Sequence, residues 1–179
     1  MREQLVIIIN GAGGSGKDTI CNILRNNYVA YVYSSITPIK VAATMLGWEG
    51  EKTQKARKFL SDLKDLSTTY NNLPFQYMAE KLKEVEEEDV LVIFHIREPK
   101  EIEKFKAYAL AGGYECKTLL IRSNRIKDSY GNHADDDVEE YDYDMIFDND
   151  CHIGELESEF MKFWTQEMIA MSRTRGEVE

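Results

Sequence analysis

Lys17 stands directly behind a glycine in the stretch "GAGGSGKDT", residues 11–19, and is followed by a carboxylate and a hydroxyl, Asp18 and Thr19. A lysine so placed implies phosphate chemistry: backbone N–H groups of a glycine-rich turn close on phosphate oxygens, and the ammonium neutralises the terminal ones. Two glycine patterns fit these residues. Gly11, Gly13 and Gly16 spell the G-x-G-x-x-G of a dinucleotide site, while Gly11, Gly16 and Lys17 spell the G-x4-G-K of a triphosphate site. A dinucleotide site also needs an acidic residue about 20 positions on to bind a ribose hydroxyl, and no Asp or Glu occurs between Asp18 and Glu49. The triphosphate pattern needs the lysine and a hydroxyl close behind it, and Lys17 and Thr19 supply both. Gly11, Gly13, Gly14, Ser15, Gly16, Lys17, Asp18 and Thr19 are therefore the expected cradle for the phosphates of ATP or GTP. Asp18 occupies the place where a hydroxyl is usual. With Thr19 it is expected to hold Mg²⁺, an ion that prefers oxygen ligands; the other reading of Asp18 is a first-turn acid that complements the helix dipole.

Such a loop works only between a strand and a helix. "LVIII" (5–9), bounded by Asn10-Gly11, reads as a strand buried on both faces of a parallel sheet, and a helix should begin near Gly16 with Ile20, Ile23, Leu24 and Tyr28 on its packed face. Residues 29–34 predict a second strand. Thr37-Pro38 predicts an N-cap and a first-turn proline, and Gly47 the end of that helix. Two amphipathic helices are expected over 51–66, with Ala56, Phe59, Leu60 and Leu63 inward, and over 75–85, separated by a turn at "STTYNNLP". Further on, "DVLVIFHI" (89–96) is a buried strand, Pro99 to Gly112-Gly113 a helix, "YECKTLLIR" (114–122) and "YDYDMIFDN" (141–149) strands. Leu156, Phe160, Phe163, Trp164, Met168 and Met171 mark a closing helix. The alternation predicts an α/β fold, a parallel sheet of about five strands with helices on both faces and ligands at the carboxyl ends of the strands. An all-helical stretch, 36–88, and a polar one, 123–140, interrupt it.

At 179 residues the chain suits a single domain, and its 30% charged and 43% apolar residues match a soluble globular protein. No apolar run approaches the roughly 20 residues that span a bilayer. Met-Arg-Glu-Gln followed by five apolar residues is too short and too acidic for a secretory leader. Cys21, Cys116 and Cys151 have no CxxC spacing and fit a reducing compartment, so the expected location is the cytoplasm. A net charge of −10 repels polynucleotides but leaves room for a small anionic ligand wherever arginines gather.

The spelling "GSGKDT" resembles the loop of nucleoside and deoxynucleoside monophosphate kinases, particularly the deoxynucleoside monophosphate kinases of phages. "SSITPIKVAATMLG" is similar to the segment after that family's second strand, "RKFLSDL" to its acceptor-side helix, "HIREPKEIEKFK" to its D-h-R-x-P-N-E block and "YDYDMIFDND" to its last strand. The resemblance implies a P-loop kinase fold with a core of 1–35, 89–122 and 141–179, an acceptor-binding insertion over 36–88 and a lid over 123–140. Moving a phosphoryl group between two phosphates gathers negative charge, and catalysis is mainly positioning and neutralisation. Arg57 in the insertion, Arg97 after the third buried strand, and Arg122 and Arg125 at the lid entrance stand where such a cluster would come from. Arg57 and Arg97 are expected to bind the acceptor phosphate; Lys17, Arg97, Arg122 and Arg125 are expected to act in transfer. Lys40 reads as a solvated helix residue.

One position departs from the family. His95 stands where the resembling kinases end a strand with a Mg²⁺-binding aspartate, and neutral imidazole is a poor Mg²⁺ ligand. Asp18 or Glu98 must then serve the metal, or the protein binds nucleotide with little transfer. The acidic run Asp135, Asp136, Asp137, Glu139 and Glu140 beside His133, like "EVEEED" (84–89), reads as a solvated face. Asp128 to Gly131 spells D-x-x-G, but it follows no apolar strand and no N-K-x-D accompanies it, which disfavours a GTPase.

Overall fold

The computed structural model describes residues 4–125 and 137–176. Most of the 123–140 stretch, with Asp128 to Gly131, His133, Asp135 and Asp136, lies outside them. Five parallel strands, β1 (Leu5–Asn10), β2 (Ala30–Ser34), β3 (Leu91–His95), β4 (Glu115–Arg122) and β5 (Met145–Asp148), form one sheet in the order β2-β3-β1-β4-β5. The apolar runs of β1 and β3 are buried on both faces because helices cover each side. Val6, Ile8, Val92 and Phe94 face α4 (Leu73–Glu84) and α5 (Pro99–Ala111), packing on Met78, Leu82, Ile102 and Phe105. Ile7, Ile9, Leu91 and Ile93 face α1 (Lys17–Asn27) and the closing helix α6 (Leu156–Gly176), packing with Ile20, Leu24, Phe160 and Trp164. A one-residue shift in β1 would exchange these two cores, so the strand's register is fixed by side chains on both faces.

Between β2 and β3 the chain makes α2 (Thr37–Met45), α3 (Gln54–Asn71) and α4. Two sequence expectations are corrected here. Thr37 is the first helical residue of α2 and not its cap; Ile36 stands at the cap position without a side-chain hydrogen bond, and Pro38 supplies the first-turn rigidity. The helix expected over 51–66 starts later, behind Thr53, whose hydroxyl accepts from the Ala56 N–H at 3.2 Å, and runs on through "STTYN" to Asn71. Only Asn72, in the left-handed region at φ 52°, separates α3 from α4, and Pro74 sits in the first turn of the latter. Gly47, at φ 94°, ends α2 as expected, with the Trp48 N–H returning to the Ala43 carbonyl at 2.9 Å.

Candidate functional site

The loop expected to hold phosphates leaves the carboxyl end of the central strand and is built from both sides. Asn10, fully buried at the end of β1, accepts the Gly11 N–H on its Oδ1 at 2.8 Å. Its Nδ2 donates to the Arg97 carbonyl at 2.9 Å and to the Tyr143 hydroxyl at 2.7 Å, and that hydroxyl donates to the Val138 carbonyl at 2.9 Å. Burial pushes the Tyr143 phenol up to about 12, so it remains a donor throughout the neutral range. One amide thus ties the start of the loop to the segment after β3 and to the approach to β5.

Glycine is required at two points of the turn. At Gly11 a Cβ would stand 2.3 Å from the Ile121 carbonyl oxygen and 2.6 Å from Ser15 Oγ. Gly16, at φ 97°, would set a Cβ 2.3 Å from Asn149 Nδ2. That same amide donates to the Ser15 carbonyl at 2.8 Å. Gly13, Gly14 and buried Ser15 lie between, with the Ser15 N–H on the Ala12 carbonyl at 3.1 Å. Lys17 opens α1, and its ammonium folds over the loop, donating to the Gly11 carbonyl, to the Ala12 carbonyl at 2.7 Å and to Ser15 Oγ at 3.5 Å. The positive end of the α1 dipole and a cation therefore face one turn, an arrangement that attracts anions. Asp18 and Thr19 follow in that first turn, exposed and half-buried respectively.

A divalent cation fits this donor set in one way. Among the described residues no three His, Cys, Asp or Glu side chains gather around a common point. Asp18 and Thr19 offer a carboxylate and a hydroxyl, the small oxygen set with which Mg²⁺ completes its shell from phosphates and water. His95 adds nothing to it. Burial pushes its imidazole down to about 4, with Lys17 and Arg97 acting the same way and Asp18 opposing, and its Nε2 lies 3.4 Å from Cys21 Sγ. The ring is neutral at pH 7. Glu98 is also occupied elsewhere, since its Oε1 meets Lys64 Nζ of α3 at 2.5 Å.

The four arginines divide between two sides. β3 and β4 flank β1, so Arg97, two residues beyond β3, and Arg122, the last residue of β4, bracket the loop in the sheet order. Arg57 is exposed on α3, on the β3 side. Arg122 pairs with Asp148 across the β4–β5 ladder, Nε to Oδ1 at 2.6 Å, which holds that carboxyl below its usual range. Arg125 Nη2 donates to the carbonyls of Asn149 at 2.7 Å and Cys151 at 2.9 Å, bracing the turn whose Asn149 supports the loop. The sequence reading missed Asn10, Asn149 and Tyr143. An Asn directly before the first loop glycine is visible in the chain, but partners more than 130 residues away are not.

No protein-family model matches the chain, and no curated protein matches it in sequence. Solved structures do match. An assumed kinase from Chloroflexus aurantiacus superposes with a TM-score of 0.52 at 14% identity, over 95% of this chain and 98% of that one. Shikimate kinase from Aquifex aeolicus gives 0.48 at 16% identity, over 94% and 98%. The Mycobacterium tuberculosis APS kinase bound to AMPPNP and APS gives 0.45 at 12%, over 92% and 99%. At 14% identity the superposition on the Chloroflexus aurantiacus structure is a likeness of fold, and with the loop geometry it gives this chain the P-loop kinase fold.

Proposed function

We propose that this protein is an ATP-dependent phosphotransferase that moves the γ-phosphoryl group to a nucleoside or deoxynucleoside monophosphate. The observation that carries the proposal is the cradle from Gly11 to Thr19, where no side chain fits at Gly11 or Gly16 and the Lys17 ammonium lies across the turn. Loop amides and the first turn of α1 bind the donor phosphates, and Lys17 exchanges its loop carbonyls for terminal phosphate oxygens. Asp18 and Thr19 are the oxygens this chain would offer Mg²⁺, which when bound would supply positive charge against the donor phosphates.

Arg97, Arg122 and Arg125 surround the transferring group with positive charge, and Arg57 and Arg97 take the acceptor phosphate, with α2 to α4 as the acceptor region. The Arg122–Asp148 pair is open to solvent, with side chains 42% and 53% exposed, so a phosphate displaces Asp148 at little cost. An acceptor phosphate oxygen attacks the γ-phosphorus as the bond to ADP breaks. That oxygen is already anionic, so no general base is required, and neutral His95 is not asked to be one. The partner is a small phosphorylated molecule rather than a polynucleotide or a membrane, and such chemistry belongs in the cytoplasm. Among the described residues no helix is long and apolar enough to cross a membrane.

ADP formation from Mg-ATP across ribo- and deoxyribonucleoside monophosphates tests the proposal. The expected result is a rate on the order of 1 to 100 per second with a preferred acceptor. ATP binding without acceptor-dependent turnover would favour a second reading, a regulatory nucleotide-binding protein, for which neutral His95 at the strand end is the specific support. Turnover only with another small phosphorylated metabolite would keep the kinase and change its acceptor.

A further inference from the structure

The ion pair between Lys64 and Glu98 joins two parts of the chain that the proposed reaction must keep in register. Lys64 lies on α3 and Glu98 directly follows Arg97, at the cap of α5. The ammonium and carboxylate meet at 2.5 Å with side chains only 12% and 33% exposed. Glu98 Oε2 is buried and has no hydrogen-bond partner. This is not a fully solvated surface pair: without Lys64, neither Glu98 carboxylate oxygen would have a hydrogen-bond partner among the described residues, with Oε2 already buried, and breaking such a half-buried pair costs more than breaking an exposed one.

Its place on the helix gives it a purpose. Arg57 and Lys64 are seven residues apart, which in an α-helix means nearly the same stripe, about 10 Å apart along the axis. Fixing Lys64 therefore fixes the rotation of α3 and the direction in which Arg57 leaves it. At the other end of the pair, Glu98 is bonded to Arg97, whose carbonyl is held by Asn10 Nδ2 at 2.9 Å. Continuous contacts thus run from α3 through Glu98 and the backbone of Arg97 to Asn10 and the Gly11 N–H.

We infer that Lys64 and Glu98 are positioning residues for the acceptor phosphate, a strap that fixes α3, which carries Arg57, against the strand-end segment that carries Arg97. The inference rests on the reading of the site as a monophosphate kinase. It touches neither the donor cradle nor the reacting atoms.

The test measures acceptor KM, kcat and Mg-ATP affinity for the wild-type protein, Lys64→Met, Glu98→Gln, Lys64→Arg and the charge-swapped Lys64→Glu/Glu98→Lys, with Tm for each. The expected result is an acceptor KM raised roughly 10-fold or more in Lys64→Met and Glu98→Gln, with kcat changed less and Mg-ATP affinity within about twofold. Lys64→Arg should recover most of the loss, and the swapped pair part of it. An unchanged acceptor KM would overturn the inference while leaving the kinase intact. So would a parallel fall of acceptor and Mg-ATP affinity with Tm, which marks a general support of the fold. A wild-type protein without acceptor-dependent turnover would overturn the underlying reading and this inference with it.

Discussion

The two sides of the sheet's carboxyl edge are built differently. Around the loop from Gly11 to Thr19, buried amides and carbonyls are interlocked: Asn10 with Gly11, Arg97 and Tyr143, Asn149 with Ser15, Arg125 with Asn149 and Cys151. Over α3, eighteen residues long, only Ala56 is fully buried. Phe59, Leu60 and Leu63, expected inward with it, are half-covered, while Leu66 and Tyr70 are 68% and 87% exposed. Phosphate cradling needs preorganised donors that do not reorganise during reaction. A region that must admit and release a second substrate needs low local stability, and few buried apolar contacts provide it. In the proposed reaction the difference places rigidity at the donor end and freedom at the acceptor end.

Lys17→Ala tests the donor end most severely. Turnover should fall by a factor of about 100 to 1,000 or more, the scale for removing one preorganised charge-stabilising donor, with Tm nearly unchanged. A loss of fold instead of function would mean that the lysine serves its own loop carbonyls and not a ligand.

Two glycines make the contrast quantitative. Gly16 at φ 97° and Gly47 at φ 94° have almost the same backbone, but a Cβ at Gly16 meets Asn149 Nδ2 at 2.3 Å and one at Gly47 meets nothing within 4 Å. Gly47→Ala should cost about 1 to 2 kcal/mol, the left-handed strain alone. Gly16→Ala adds overpacking of about 1 to 3 kcal/mol and should abolish measurable ATP binding. Equal losses of stability in urea titrations would show that the donor loop is no more tightly supported than the acceptor turn.

Burial at the donor end also sets a pH dependence. The His95 imidazole is pushed down to about 4 from 6.5 by burial, with Lys17 and Arg97 helping, Asp18 opposing and Cys21 in contact. The unfolded chain therefore takes up a proton that the folded chain refuses, so stability is complete above about pH 6.5 and falls as pH drops towards 4. The loss should approach about 3 kcal/mol. His95→Asn should flatten that window in unfolding measurements between pH 4 and 7, and an unaltered slope would assign acid sensitivity to other groups.

Asn149→Ala follows in size. Removing the donor to the Ser15 carbonyl should cost about 1 to 3 kcal/mol, since a buried carbonyl is left unpaired, and should weaken ATP binding several-fold. A calorimetric titration with ATP showing no change would mean that the loop holds its shape without the β5–α6 turn.

The loop itself was legible because its chemistry is local: glycines, Lys17 and Thr19 act within nine residues. So was the sheet, since doubly buried strands are continuous apolar runs and β1 and β3 carry them. The extent of α3 was not legible. Ser67, Thr68 and Thr69 carry polar, turn-compatible side chains, and only tertiary context decides that the helix continues to Asn72, where the left-handed residue stops it. Asn10, Tyr143, Asn149 and the Lys64–Glu98 pair were equally hidden, because each is defined by a partner that a different element brings to it. An asparagine or lysine alone carries no periodic signal.

The smallest predicted effects decide whether the acceptor side is as open as its side chains imply. Leu66→Ala and Tyr70→Ala remove large apolar groups that the fold leaves mostly in water, and each should change stability by no more than about 0.5 kcal/mol, as surface substitutions do. Phe94→Ala, at a fully buried position on the same sheet, should cost about 3 to 5 kcal/mol. If Tyr70→Ala instead lost 2 kcal/mol or more in a urea titration, with the loss growing with protein concentration, α3 would be covered by another molecule in solution. The freedom assigned to the acceptor side would then belong to an interface, and helix rotation would be set by that contact as well as by Lys64 and Glu98.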